Sequence, residues 1–273
     1  MIMNKTHSGL LFILALIASK PTFSLIESHT IAYEYNWPPY SYQLNSGKLE
    51  GIIIDIVRIA LSRADLQSEA TSFPLDQAKA LVKENIISGF ITTADKIPAP
   101  AISSPNEKEN KSKNQESSIA VLISSEPIIT IRSKAFVLKK NKDLINLKKT
   151  SSFNELEPLK ICIDRNNNWA KQQVKSHQIK ALFSKNQADC FRKIALNRYD
   201  LTITQETLGK QLLTMMELEK KFTLLPYSYR TLRIVLVTHQ QSELAESLPK
   251  FNAAIKEMRK DGTIQNVIQT YAR

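Results

Sequence analysis

No glycine-rich phosphate loop and no G-x-S-x-G elbow occurs in these 273 residues, which removes two sequence signatures of phosphoryl and acyl-transfer chemistry. Histidine is sparse as well, four in all: beyond His7 near the start, His29, His177 and His239 lie far apart, without the spacing of a metal-ligand set. Cysteine numbers two, Cys162 and Cys190. The longest apolar run, residues 9–18, falls well short of the roughly 20 residues a bilayer-spanning helix needs. Acids are the minority charge, 26 against 37 Lys and Arg, so the net charge is +11.

That apolar run follows Lys5 and is succeeded by Thr22-Phe23-Ser24, with small residues at the minus-three and minus-one positions of a cleavage site. The pattern predicts an export signal over residues 1–24. A short membrane anchor is the plain alternative, disfavoured by length, and no cysteine follows the run to carry a lipid. Removal takes away Lys5 and Lys20 and no acid, so the charge falls from +11 to +9. The remaining lysines lie in scattered pairs such as Lys139-Lys140 and Lys220-Lys221, which reads as solvated faces rather than a nucleic-acid surface. Two cysteines in an oxidising compartment suggest a disulfide, Cys162 to Cys190; the alternative is a pair of buried thiols.

The chain is organised around residues 33–61. A Tyr-rich strand turns at Trp37-Pro38-Pro39-Tyr40, passes Asn45-Ser46-Gly47-Lys48, and enters a helix over residues 52–63 that buries Ile53, Ile56, Val57, Ala60 and Leu61. Two prolines restrict the backbone beside two large rings, at a strand end, where α/β folds place ligands. Asp55 sits in the helix's first turn, a structural position.

Further on, residues 75–83 read as a helix and 86–91 as a buried strand that carries Phe90 and ends at Thr92, Thr93 and Lys96; Thr93 is placed to cap a helix start, where bare amides attract anions. Residues 98–118 collapse into Pro, Ser, Asn, Lys and Glu, a mobile surface excursion. A strand at 134–138 precedes alternating strands and helices: strands at 160–164, 179–183, 200–204 and 232–238, helices at 169–177, 186–196 and 206–216. Alternation of this kind predicts a mostly parallel sheet covered by helices. The tail is helical, with Leu244, Leu248, Phe251, Ile255 and Met258 on one face and a break at Asp261-Gly262-Thr263.

In their order these segments resemble the bacterial extracellular solute-binding proteins of the polar amino-acid type, family 3, the periplasmic receptors of ABC importers. The resemblance rests on WPPYSY, GKLEGIIIDIVRIAL, SGFITTADK, SSEPIITIRSKAFVLKKN, SFNELEPLKICID, ALNRYDLTIT and NAAIKEMRKDGTIQNVIQTYAR, and covers nearly all the chain after residue 24. It implies an α/β, two-lobed type II periplasmic-binding fold, each lobe a mostly parallel sheet flanked by helices, with the ligand cleft between lobes. Lobe 1 would comprise 25–132 and 239–273, lobe 2 residues 133–238, and 98–118 would be an insertion. The implied function is hinge closure on a small polar solute, delivered by a monomer to an ABC permease in the inner membrane. No cofactor, metal or nucleic acid is called for, and no catalysis.

Two other functions stay in view. A sensing module would hand its signal to a separate membrane protein; a dehydratase on the same fold would need an acid or base facing the cleft. The chain is expected to end with the binding module, without an appended transglycosylase or kinase.

The resemblance also implies which residues hold the solute. Trp37, Tyr40, Phe90, Thr92 and Thr93 would line the first lobe's side. The family's carboxylate-gripping Arg, in Gly-x-Thr-x-Thr-x-x-Arg, falls on Lys96, a point charge without the bidentate fork. The family's first Thr falls on Ile91. Across the cleft, the acid that holds a ligand ammonium falls on Gln205, with Glu206 one position away, and the Gly-Thr turn falls near Arg165-Asn166-Asn167. Such a lining suits a neutral or anionic solute with a flat or apolar part better than a zwitterionic α-amino acid, since a buried ammonium without a partner is costly.

Overall fold

The structure, a computed structural model, describes residues 28–97, 122–141 and 152–271. The expected export signal at 1–24 and the excursion at 98–118 lie outside the described residues.

The chain opens with β1 (Ser28–Tyr33), a small antiparallel meander of β2 (Asn36–Trp37), β3 (Ser41–Gln43) and β4 (Leu49–Glu50), and helix α1 (Ile52–Arg63). Gly51 starts α1 with φ of 140°, and a Cβ there would lie 2.3 Å from the Tyr40 carbonyl oxygen. Glycine alone permits that approach, which lets Ile53 N donate to the Tyr40 carbonyl and ties the aromatic turn to the helix. Asp55 accepts from Arg58 at 2.7 Å and from the Tyr271 hydroxyl at 2.7 Å, so its role is structural, as expected. Every apolar residue expected on the buried face of α1 is buried.

Strand β5 (Gln67–Ser72), helix α2 (Leu75–Lys83), strand β6 (Gly89–Thr93) and a 3-10 turn (Ala94–Lys96) follow. The strand expected at 86–91 starts later, because Ile86 is exposed in the turn that precedes it. The Thr93 side chain does not cap the turn after it. Next come β7 (Leu122–Ser124), β8 (Ile129–Leu138), β9 (Ile161–Asp164), α3 (Asn168–Ser176), β10 (Ala181–Ser184), α4 (Gln187–Ala195), β11 (Leu201–Gln205) and α5 (Glu206–Met215). The long β12 (Phe222–His239), α6 (Glu243–Lys260) and α7 (Thr263–Thr270) complete the described chain.

The main sheet runs β10-β9-β11-β8-β12-β6-β1-β5, with β7 also on β12. Parallel pairs are confined to its ends, β10-β9-β11 and β6-β1-β5, whereas β11, β8, β12 and β6 pair antiparallel. The mostly parallel sheet expected from alternation is thus corrected: two parallel sets flank an antiparallel centre. Strand β12 begins ten residues before the expected strand, since its first half contains Pro226 and reads as a loop. The register against β8 shifts between Leu224 and Ser228, where Pro226 has no N–H to give to the ladder.

Two pairs of apolar clusters form the core. One pair holds β1, β6, α1, α2 and α6, with residues from Ile31 to Met258; the other holds β9, β11, α3, α4 and α5, with Phe136, Ile161 and Phe191. Each fully buried Ile, Leu or Phe contributes on the order of 1.5–3 kcal/mol. Cys162 on β9 and Cys190 on α4, both fully buried, form a disulfide that ties the helix to its sheet.

Candidate functional site

A cavity of about 210 Å³ opens where the carboxyl ends of β1 and β6 face the end of β11 and the middle of β12. Its walls combine Trp37, Phe73 and Phe90 with Thr92, Thr93 and Gln205. Its charged groups are Glu34, Lys96 and Arg230.

Trp37 reaches the cavity because β2 pairs with β3 in register Trp37 to Ser41, and its ring packs against Tyr40 at a centroid distance of 5.1 Å. Phe90 and Thr92 are held by the antiparallel ladder to β12, and Thr93 lies opposite Ile234. Thr93 is 6% exposed, and among the described residues its buried Oγ1 has no hydrogen-bond partner. A buried hydroxyl left unpaired forfeits on the order of 1–3 kcal/mol, so a polar atom placed in the cavity beside it would relieve that cost.

Six of the nine residues expected to hold the solute line this cavity: Trp37, Phe90, Thr92, Thr93, Lys96 and Gln205. Tyr40 lines a second cavity, between β8, α5 and α7, together with Arg132, Glu206 and Lys210. Burial pushes its phenol up to about 12, and the hydroxyl is hydrogen-bonded to Thr207. Arg165 and Asn166 line neither cavity. They are exposed in the β9–α3 turn, where Arg165 N donates to the Ser184 carbonyl, and Asn166 N to Asp164 Oδ1 at 2.9 Å. The side chain of the neighbouring Asn167 is spent on capping α3 through Ala170 N.

Glu206, the alternative acid, belongs to the second cavity and is held between Lys210 at 2.6 Å and Lys134 at 3.5 Å. Burial works against its charge, but the two lysines hold its carboxyl below the usual range. Two charged residues of the first cavity escaped the sequence reading. Glu34 follows β1 directly and is exposed; Arg230 sits in the half of β12 that reads as a loop. Among the described residues no group of His, Cys, Asp and Glu could hold a metal ion, and no helix is long and apolar enough to cross a membrane.

The family model of the bacterial extracellular solute-binding proteins, family 3, matches residues 29–273. The chain belongs to that family.

This solute-binding protein has an α/β fold that matches the type II periplasmic-binding proteins. A protein of Bacillus subtilis superposes with a TM-score of 0.63 at 19% identity, covering 89% of each chain. The unliganded, open L-cystine solute receptor of Neisseria gonorrhoeae gives 0.61 at 16% identity, over 89% of this chain and 92% of that one. An ancestral cationic amino acid solute-binding protein gives 0.60 at 15%, over 90% and 96%. No curated protein sequence matches. At these identities the likeness shows the fold, and the ligand has to be argued from the cavity of the solute-binding protein itself.

Proposed function

We propose that this chain is a periplasmic receptor that closes on a small polar solute and delivers it to an ABC-type permease in the inner membrane. Two lobes, 25–132 with 239–273 and 133–238, would hinge about β8 and β12, the strands that pass between the two pairs of apolar clusters. The observation that carries this reading is the make-up of the cavity: Thr92, Thr93 and Lys96 come from one side, Gln205 from the other, and Arg230 from a crossing strand. A solute touching all three is bound more tightly when they approach, and that difference in affinity is what drives closure.

The solute we infer is neutral or anionic with a flat or apolar part. Solved relatives include an L-cystine receptor and a cationic amino acid binder. Here Gln205 brings no charge to the wall, Glu206 is committed to two lysines, and two cations face one exposed Glu34. Calorimetry against the common L-amino acids should therefore find no micromolar binder. Micromolar binding of one of them, abolished by Gln205→Ala or Glu206→Ala, would overturn this reading of the ligand. Closure is tested separately by small-angle scattering with and without bound solute, where an unchanged radius of gyration would count against it.

A further inference from the structure

Strand β12 alternates regularly against β8 from Arg230, opposite Ser133, to Ile234, opposite Ile129. Residues 230, 232 and 234 therefore share one face, and Arg230 and Leu232 both line the cavity. β6 runs antiparallel on the other side with Thr93 opposite Ile234, so the chain continuing through Ala94–Lys96 travels back toward Arg230. Two cations, Lys96 and Arg230, thus both line the cavity, while Trp37 and Phe90 supply flat apolar wall.

The guanidinium of Arg230 is braced and under-compensated. Its carbon lies 5.4 Å from the centre of the Trp169 ring, a cation-π contact that braces the head of the side chain. Among the described residues no carboxylate forms an ion pair with it or with Lys96. Burial works against its charge, and the more distant carboxylate of Asp95 offsets that only in part. A half-buried guanidinium that no described carboxylate pairs with, in a cavity that also holds Lys96, the unpaired Thr93 hydroxyl and, as its one carboxylate, the exposed Glu34, is a site that an anion completes.

We propose that Arg230, braced on Trp169, is the specificity-determining residue of the cavity, and that its fork takes the carboxylate of a small organic acid with Lys96 beside it and the acid's flat body against Trp37 and Phe90. This rests on the receptor reading above and deepens it. The guanidinium comes from a crossing strand, so the acid it holds would be felt by both lobes at once.

The test compares benzoate, 3-phenylpropanoate and indole-3-acetate with their neutral amides, alongside the common L-amino acids and inorganic phosphate, by thermal shift and calorimetry. Wild type should bind at least one of the carboxylates and discriminate against its amide. Arg230→Gln should weaken the carboxylate about 10- to 100-fold and abolish the discrimination, the effect expected for a charged hydrogen bond. Arg230→Lys, which keeps the stem and the charge, should recover part of the affinity, and the unliganded melting temperature separates a folding defect from a binding one. A general loosening of the cavity would weaken acid and amide alike. Discrimination that survives in Arg230→Gln, or a preference for phosphate over every carboxylate, would overturn the proposal. Amino acids bound equally by wild type and Arg230→Gln would sink it and leave the receptor reading standing; no binding of any probe would sink both.

Discussion

Trp37 and Tyr40 touch ring to ring, their planes tilted by 44°, yet they face different cavities: Trp37 the one with Arg230, Tyr40 the one with Glu206. The Trp-Pro-Pro-Tyr turn therefore serves two interfaces at once. On its inner side the Tyr40 hydroxyl meets Thr207 of α5, an element whose apolar partners lie in the other pair of clusters. Tyr40→Phe should cost about 0.5–1.5 kcal/mol of stability in urea denaturation, the net worth of one hydrogen bond. An unchanged midpoint would show that the hydroxyl gains nothing from Thr207.

The Cys162–Cys190 bridge closes a loop with a sequence separation of 28. On the chain-entropy account, a loop of that size stabilises by about 3–4 kcal/mol, so the double change to Ser should lower the denaturation midpoint by a corresponding amount. Thiol titration of the unfolded, unreduced protein should find no free thiol. Two free thiols in protein exported from the cell interior and purified without reductant would refute the bridge.

Asp261 receives the Thr263 hydroxyl and N–H and the Arg63 guanidinium, which together hold its carboxyl down at about 2, against an ordinary 3.8. A depressed folded-state value means the carboxylate's contribution is complete above pH 3.8 and is lost as the pH falls toward about 2. Asp261→Asn should flatten the slope of stability against pH in that window. An identical slope in wild type and variant would exclude the group as its source.

Gly209, in the middle of α5, lies against Phe136 of β8 so closely that a Cβ would sit 2.3 Å from the ring. Alanine is normally favoured over glycine inside a helix by about 1 kcal/mol. Here the clash should reverse the sign, with Gly209→Ala destabilising by about 1–3 kcal/mol through overpacking. A stabilised variant would mean that α5 shifts on its sheet without penalty.

What could be read from the sequence follows from how each element is buried. Helices α1 and α2 match the expected bounds, because a helix with one buried face writes its period into the chain. The first half of β12 carries Pro226 and alternating Tyr, Ser and Arg, half-exposed and with a shifted register, so nothing in it announces a strand. Arg230 was hidden with it. Ile86 misled in the opposite sense, as an apolar residue that the fold leaves 61% exposed. Arg165 and Asn166 were reached by motif position, but position along a chain does not say where a turn sits, and theirs lines neither cavity. Lys96 and Gln205, reached by the same motif reasoning, do line the cavity, because each lies at or just past the end of a strand that opens there; Arg230 comes from a strand remote in sequence from β6.

Strand β12 enters the sheet between β8 and β6, and α6 then packs back against α1. During synthesis β1, β5 and β6 are the first strands available, but the open edge of β6 waits for residues 234–238, and Ile31 waits for Phe251 and Met258 to close its core. The half of the molecule made first is thus the last to be finished. Until then it presents an unpaired strand edge beside uncovered isoleucines, the condition under which chains stick to one another. A ribosome that stops short of residue 230 would release a protein with its aromatic turn in place and no strand on the edge of β6.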